Sequence, residues 1–177
     1  MRRWLAILGV LLGIGMIGYA LFARATDEEQ IREQLARLAA AISFTEAGNP
    51  AARALHLRSA FSELFTPEAE VTIAELGIQQ RGREELVATT LQASGLARRL
   101  EVELTSVQIL VAEDRTAASA AATALVAAVR RGGEPDVGER EVRFDLVRGP
   151  DRTWRVASSR VYGPGEEPEE DAVGGEE

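Results

Sequence analysis

The stretch Ala117-Ala118-Ser119-Ala120-Ala121-Ala122-Thr123-Ala124-Leu125-Val126-Ala127-Ala128-Val129 decides the fold, because eight of its 13 residues are alanine and intrinsic propensity alone favours a helix there. Its neighbours argue for a strand. On the N-terminal side Leu100, Val102 and Leu104 alternate with Glu101 and Glu103, and after Thr105-Ser106 the apolar parity moves to Val107, Ile109 and Val111. That is the pattern of one long strand bent by a bulge. Glu113-Asp114-Arg115 then makes a tight polar turn. On the C-terminal side, after a loop from Arg131 to Gly138, Val142, Phe144 and Leu146 alternate with Glu141, Arg143 and Asp145. Gly149-Pro150-Asp151 makes the next turn, and Trp154 and Val156 alternate with polar residues in a last strand ending near Tyr162. A segment entered through a tight turn and flanked by strands is the middle of an antiparallel meander, where tertiary context overrides propensity.

Upstream of the meander the period is helical. Thr26 followed by Asp27-Glu28-Glu29 is a capping box, and Ile31, Leu35, Leu38 and Ile42 line one face of the helix it opens. Glu33 and Arg37, four residues apart, belong to the solvated face. Gly48-Asn49-Pro50 interrupts, with Asn49 as cap and Pro50 in the first turn of a second helix whose stripe is Leu57, Phe61, Leu64 and Phe65. Thr66-Pro67 ends it. Val71 to Leu76 reads as a strand with Gly77 as its turn or bulge, and Gly82 to about Gln92 as a third helix stopped near Gly95.

The two ends of the chain differ from the middle. Trp4 to Ala23 holds 20 residues without a charge, about one bilayer core at roughly 1.5 Å per residue. Arg2 and Arg3 precede it and Asp27, Glu28 and Glu29 follow, so the basic bias leaves the N-terminus in the cytoplasm and sends the rest outside. Two readings stay open: a retained single-pass anchor in a bacterial cytoplasmic membrane, or a signal peptide cleaved near Ala25, giving a secreted or periplasmic domain. Residues 164 to 177 carry seven acids and no base and read as a disordered acidic tail. The expected organisation is an anchor at 1–25, an α+β domain at 26–163 and the tail at 164–177.

Composition excludes several chemistries. The chain has no cysteine and one histidine, which removes disulfides, thiolate metal sites and a cysteine nucleophile and makes a zinc site improbable; no metal and no cofactor are expected. All 20 basic side chains are arginine, so lysine-based mechanisms and a P-loop are excluded. Between residues 26 and 163 there are 17 arginines against 21 acids with mixed signs, no basic stripe, and no expected nucleic-acid partner.

Three segments carry a resemblance. Leu64-Phe65-Thr66-Pro67-Glu68-Ala69-Glu70-Val71, Arg81-Gly82-Arg83-Glu84-Glu85-Leu86 and Asp151-Arg152-Thr153-Trp154-Arg155-Val156 resemble the nuclear transport factor 2-like superfamily, which includes ketosteroid isomerases and polyketide-cyclase-like proteins, over about residues 27 to 162. The resemblance implies a cone-like curved antiparallel sheet packed by three N-terminal helices around a pocket, often dimeric through the sheet. It does not carry the isomerase chemistry, which needs a carboxylate base and oxyanion donors in an apolar site. Where the base is expected the chain reads Thr72, Ile73 and Ala74; the tyrosine position falls near the apolar Leu35 or Leu38; the Ala-rich strand offers only Ser119 and Thr123. No catalytic residue is assigned.

The pocket candidates are His56 on the second helix, Glu75 with the parity of Val71 and Ile73, and Arg160 and Tyr162 at the end of the last strand. Glu101 and Glu103, two apart on one strand, read as a solvated face. The expected function is a membrane-tethered, non-catalytic domain binding a partner protein or small apolar ligand outside the membrane. The alternative is a small isomerase, dehydratase or cyclase acting on an apolar substrate. A homodimer through an apolar area on the open sheet face, left by the parity switch after Thr105 and by the alanine-rich strand, is a further expectation.

Overall fold

A computed structural model of the chain describes residues 26–45, 49–130 and 132–163. The span proposed at residues 4–23 and the acidic tail lie outside the described residues; among the described residues no helix is long and apolar enough to cross a membrane. The elements are α1 (Asp27–Ile42), β1 (Phe44–Thr45), α2 (Pro50–Leu64), β2 (Phe65–Ile73), a 3-10 turn (Ala74–Leu76), β3 (Ile78–Arg81), α3 (Arg83–Leu96), β4 (Ala97–Val111), β5 (Ala117–Arg130), β6 (Pro135–Arg148) and β7 (Trp154–Tyr162).

The Ala-rich segment is a strand. It pairs antiparallel with β4 on one side and β6 on the other, and the sheet order is β1-β4-β5-β6-β7-β2-β3. Ala118, Ala120, Ala122 and Ala124 are buried beneath the helices, whereas Ser119 and Ala121 face out. Alanine fits the alternate buried positions of a strand whose pairing is set by its two neighbours, so a helix-prone composition does not make a helix here.

The bulge occurs where the parity changes. Between the pairs Thr105↔Thr123 and Gln108↔Ala121 the strand β4 has two residues and β5 one, and Ser106 takes a φ of 51°. The extra residue has a consequence that corrects the sequence reading. Val107, Ile109 and Val111 turn to the same inner side as Leu100, Val102 and Leu104 and pack on the core. The parity switch therefore gives the outer sheet face no apolar residues from Val107, Ile109 and Val111: Glu101, Glu103, Gln108, Glu141 and Asp145 are exposed on it, together with Leu110, Val137 and Val147. The switch thus adds nothing to a dimer surface on that face.

Other boundaries move as well. The sheet is mixed rather than wholly antiparallel, because β2 runs parallel to β7. Thr66 and Pro67 lie inside β2 instead of merely ending the helix; the register against β7 breaks between Phe65 and Glu70, which lets a proline sit in the strand. The strand expected at 71–76 stops at Ile73, and the loop expected up to Gly138 is strand from Pro135. The third helix reaches Leu96 without a stop at Gly95. β1 and β3 are short edge strands with too few apolar residues to show a period.

Local chemistry explains the helix starts. The Thr26 hydroxyl accepts from the Glu29 amide at 3.2 Å and the Glu29 carboxylate accepts from the Thr26 amide at 2.8 Å, closing the capping box. Asn49 caps α2 through Ala51 at 2.9 Å. Gly82 enters α3 at φ 89°, a backbone state that costs other residues more, and its amide donates to the Ala69 carbonyl at 2.8 Å. Beside it the Arg83 guanidinium donates to the Phe65 carbonyl through Nε at 2.9 Å and through Nη2. The two resembling segments around Phe65 and Gly82 are thus one packing unit.

The far end of the molecule is held by Asp27. Its carboxylate meets Arg148 at 3.1 Å and Arg115 at 3.8 Å and accepts from the Trp154 indole at 3.4 Å, while Arg148 lies over the Trp154 ring at 5.5 Å. Trp154 is 1% exposed. In the adjoining turn Asp151 is paired with Arg155 at 3.0 and 2.6 Å, and hydrogen bonds from Arg155 and Thr153 hold its carboxyl well below the usual range.

Candidate functional site

Between the helices and the inner sheet face lies a cavity of about 350 Å³. α1 contributes Leu38, Ala39 and Ile42, α2 contributes Phe61, and α3 contributes Leu86 and Ala93. The floor is the inner parity of the strands, with Leu100, Val102 and Leu104 from β4, Ala124 and Val126 from β5, and Val142 from β6. Val71 and Ile73 close one side. Two devices fix the end of α1 that enters this wall. The Ser43 hydroxyl donates to Ala39 O at 2.7 Å and accepts from the Val102 amide at 3.0 Å, tying the helix to β4. Arg53 donates to Ile42 O at 3.1 Å and Ser43 O at 3.4 Å and lies over the Phe44 ring at 4.5 Å; burial lowers its pKa.

The polar groups that reach the cavity are few: Thr89, Thr90, Ser159 and Arg140. Thr90 donates to the Leu86 carbonyl at 2.7 Å. The charged group is Arg140, whose Nε and Nη2 meet the two oxygens of Glu75 at 2.8 and 3.2 Å and whose Nη1 donates to the Glu139 carbonyl at 2.9 Å. Its side chain is 28% exposed and that of Glu75 is 40% exposed, so the pair marks the place where the cavity meets water.

A second recess, about 480 Å³, lies on the outer sheet face. It is polar, with Thr72, Gln108, Ser119, Arg143 and Asp145 in its wall. Arg143 and Arg160 stand directly opposite each other across β6 and β7 there.

The four sequence candidates are not brought together. Arg160 and Tyr162 line the outer recess, on the side of the sheet away from the apolar cavity. His56 is exposed on α2, one residue before the buried Leu57, and is not in the cavity wall. Glu75 stands at the cavity mouth through Arg140, but not by strand parity: the 3-10 turn Ala74–Leu76 breaks the alternation that places Val71 and Ile73 inward. Of the positions where isomerase residues were sought, Ile73 and Leu38 line the cavity as apolar wall and Ser119 faces outward. Arg140 is not among the sequence candidates, because it lies between two acids, Glu139 and Glu141. Its signal was present in the sequence, since it shares parity with Val142, Phe144 and Leu146.

The comparisons agree with this architecture. A nuclear transport factor 2-like superfamily protein from Salmonella enterica serovar Typhimurium is 20% identical, with 80% of this chain and 94% of that one covered at a TM-score of 0.63. A protein from Novosphingobium aromaticivorans described as NTF2-like with a cystatin-like fold is 19% identical, covers 80% and 84%, and scores 0.59. A protein of Catenulispora acidiphila solved in complex with S-DNPA is 24% identical, covers 81% and 92%, and scores 0.57. No curated protein sequence matches the chain. The model of the SnoaL-like domain matches residues 23–160, most of the sequence and nearly all of the described fold. With that match and the helix-covered sheet described above, the chain belongs to the SnoaL-like domain family.

Proposed function

We propose that the protein is a membrane-tethered, non-catalytic SnoaL-like domain that holds a small apolar ligand outside the cytoplasmic membrane. One observation carries the ligand part: the cavity wall is almost wholly apolar and contains no carboxylate, imidazole or phenol. Burial of apolar surface is then the main interaction the cavity offers, and there is no group in its wall to abstract or deliver a proton. A volume near 350 Å³ falls at the lower end of the roughly 300–1,000 Å³ of small-molecule sites. The tether rests on the uncharged run from Trp4 to Ala23 and the arginines before it.

Filling the cavity tests the reading. Ala124 is 5% exposed and its side chain meets the cavity, so Ala124→Phe occupies the space without an added charge. Binding of a fluorescent apolar probe should weaken by about tenfold or more, as expected when at least one ring's worth of contact is lost, while the melting temperature stays within a few degrees. Unchanged probe binding would show that the probe sits elsewhere and would remove the cavity reading. Protease shielding in spheroplasts tests the tether: the domain should be cleaved in intact spheroplasts, and cleavage only after lysis overturns the orientation.

The enzymatic reading has one observation in its favour, the Glu75 carboxylate at the cavity mouth. Both its oxygens are engaged by Arg140, however, and it is not part of the wall that a substrate would touch.

A further inference from the structure

Arg140 is the one charged residue among those lining the apolar cavity. It occupies an inner position of β6 where the neighbouring inner residues Val142, Phe144 and Leu146 are core. The strand makes room for it. A Cβ at Gly138, two residues earlier on the same face, would come within 3.0 Å of Arg140 Nη1, so the glycine leaves space for the guanidinium to lie back along β6. Of the five N–H bonds of an arginine, three are used, two by Glu75 and one by the Glu139 carbonyl, and two have no partner among the described residues.

From this arrangement, and resting on the reading of the cavity as a ligand site, we infer that the ligand is an apolar monocarboxylate whose head is taken by Arg140, with Glu75 as its placeholder in the empty domain. The argument is electrostatic. A guanidinium beside an apolar wall is costly to leave unpaired, and a carboxylate from the protein satisfies it when no ligand is present. Glu75 suits that part because its hold is weak: it sits on a single 3-10 turn, its side chain is 40% exposed, and ion pairs open to water contribute little. A ligand carboxylate entering from the cavity side meets the same fork with its apolar body already buried, and the planar fork matches two carboxylate oxygens better than the single acceptor of a ketone. Glu75 then turns to water. The chemistry is shared by aromatic acids and by fatty acids of medium length, and the volume does not choose between them.

The test uses the full chain in lipid nanodiscs and two matched pairs of probes, 2-naphthoate with 2-naphthamide and decanoate with decanamide. Affinities are read by calorimetry against empty nanodiscs, and comparison between variants removes partition into lipid. For the wild type, at least one carboxylate should bind about tenfold or more tighter than its amide, the scale of a charge-assisted contact; which pair shows the preference distinguishes the aromatic from the fatty source. Arg140→Gln should abolish that preference, so that acid and amide bind within about twofold of each other. Glu75→Gln should raise carboxylate affinity severalfold, a gain that a misfolded variant does not produce. If acid and amide bind alike in the wild type, the inference fails and the apolar cavity reading stands. If neither binds, both fail together. If Glu75→Gln brings no gain, the placeholder role is overturned.

Discussion

Replacing Trp154 with alanine lowers the stability of the domain by about 3–5 kcal/mol, the range for deleting a buried aromatic side chain. The indole is 1% exposed in the core where β7 begins, so little of the space it leaves can be reached by solvent, and collapse around it is resisted by the sheet. Two further contacts disappear with the ring: the Nε1 hydrogen bond to Asp27 at 3.4 Å and the stacking of Arg148 at 5.5 Å. For a chain of this size each kcal/mol moves the melting temperature by about 2–4 °C, so a drop on the order of 6–20 °C is expected in thermal denaturation. Trp154→Phe, which keeps most of the apolar volume, should recover more than half of the loss. A Trp154→Ala variant melting within two or three degrees of the wild type would show that this corner of the core is not closed as described.

The second large effect separates the two faces of β5. Ala122 is 6% exposed, belongs to the core cluster and is not part of the cavity wall, so Ala122→Leu forces three carbon atoms into packed core. Overpacking of this kind costs about 1–3 kcal/mol. Ser119→Leu, three residues earlier on the exposed face, should change stability by no more than about 0.5 kcal/mol. Urea unfolding of both variants decides it, and equal midpoints would mean that the strand does not present alternate faces to core and solvent.

Much of this was legible because several local signals agreed. The capping box at Thr26, the cap and proline at Asn49-Pro50 and the alternations from Leu100 to Val156 each specify an element by themselves, and the alanine strand follows from what flanks it. What was not legible depended on contacts distant in sequence. β3 has the sequence Ile78-Gln79-Gln80-Arg81, one apolar residue in four, and is a strand because Glu70 to Ile73 offer it an edge. Pro135 to Gly138 look like loop and pair with Val126 to Val129 all the same. The parity change in β4 is recognisable as a bulge, but period alone puts the new apolar set on the opposite face. An inserted residue resets the alternation so that both apolar sets turn inward. At the cavity the walls were foreseeable as core stripes, whereas the mouth was not: Arg140 and Glu75 are 65 residues apart, and no local pattern announces a pair made across the sheet.

The Asp27 contacts also determine how a mechanical load would travel. Any pull on the polypeptide before Thr26 enters the fold at the first residue of α1, which is clamped there to Arg148, Arg115 and Trp154. α1 is 16 residues long, about 24 Å, and it is its other end, through Leu38, Ala39 and Ile42, that forms cavity wall. Tension is therefore passed into the hydrogen-bonded ladders of β6 and β7 before it reaches the helix turns around the cavity. The domain behaves as a cleat that takes the strain at one end, so that the shape of its interior is insulated from a load applied at its N-terminal end.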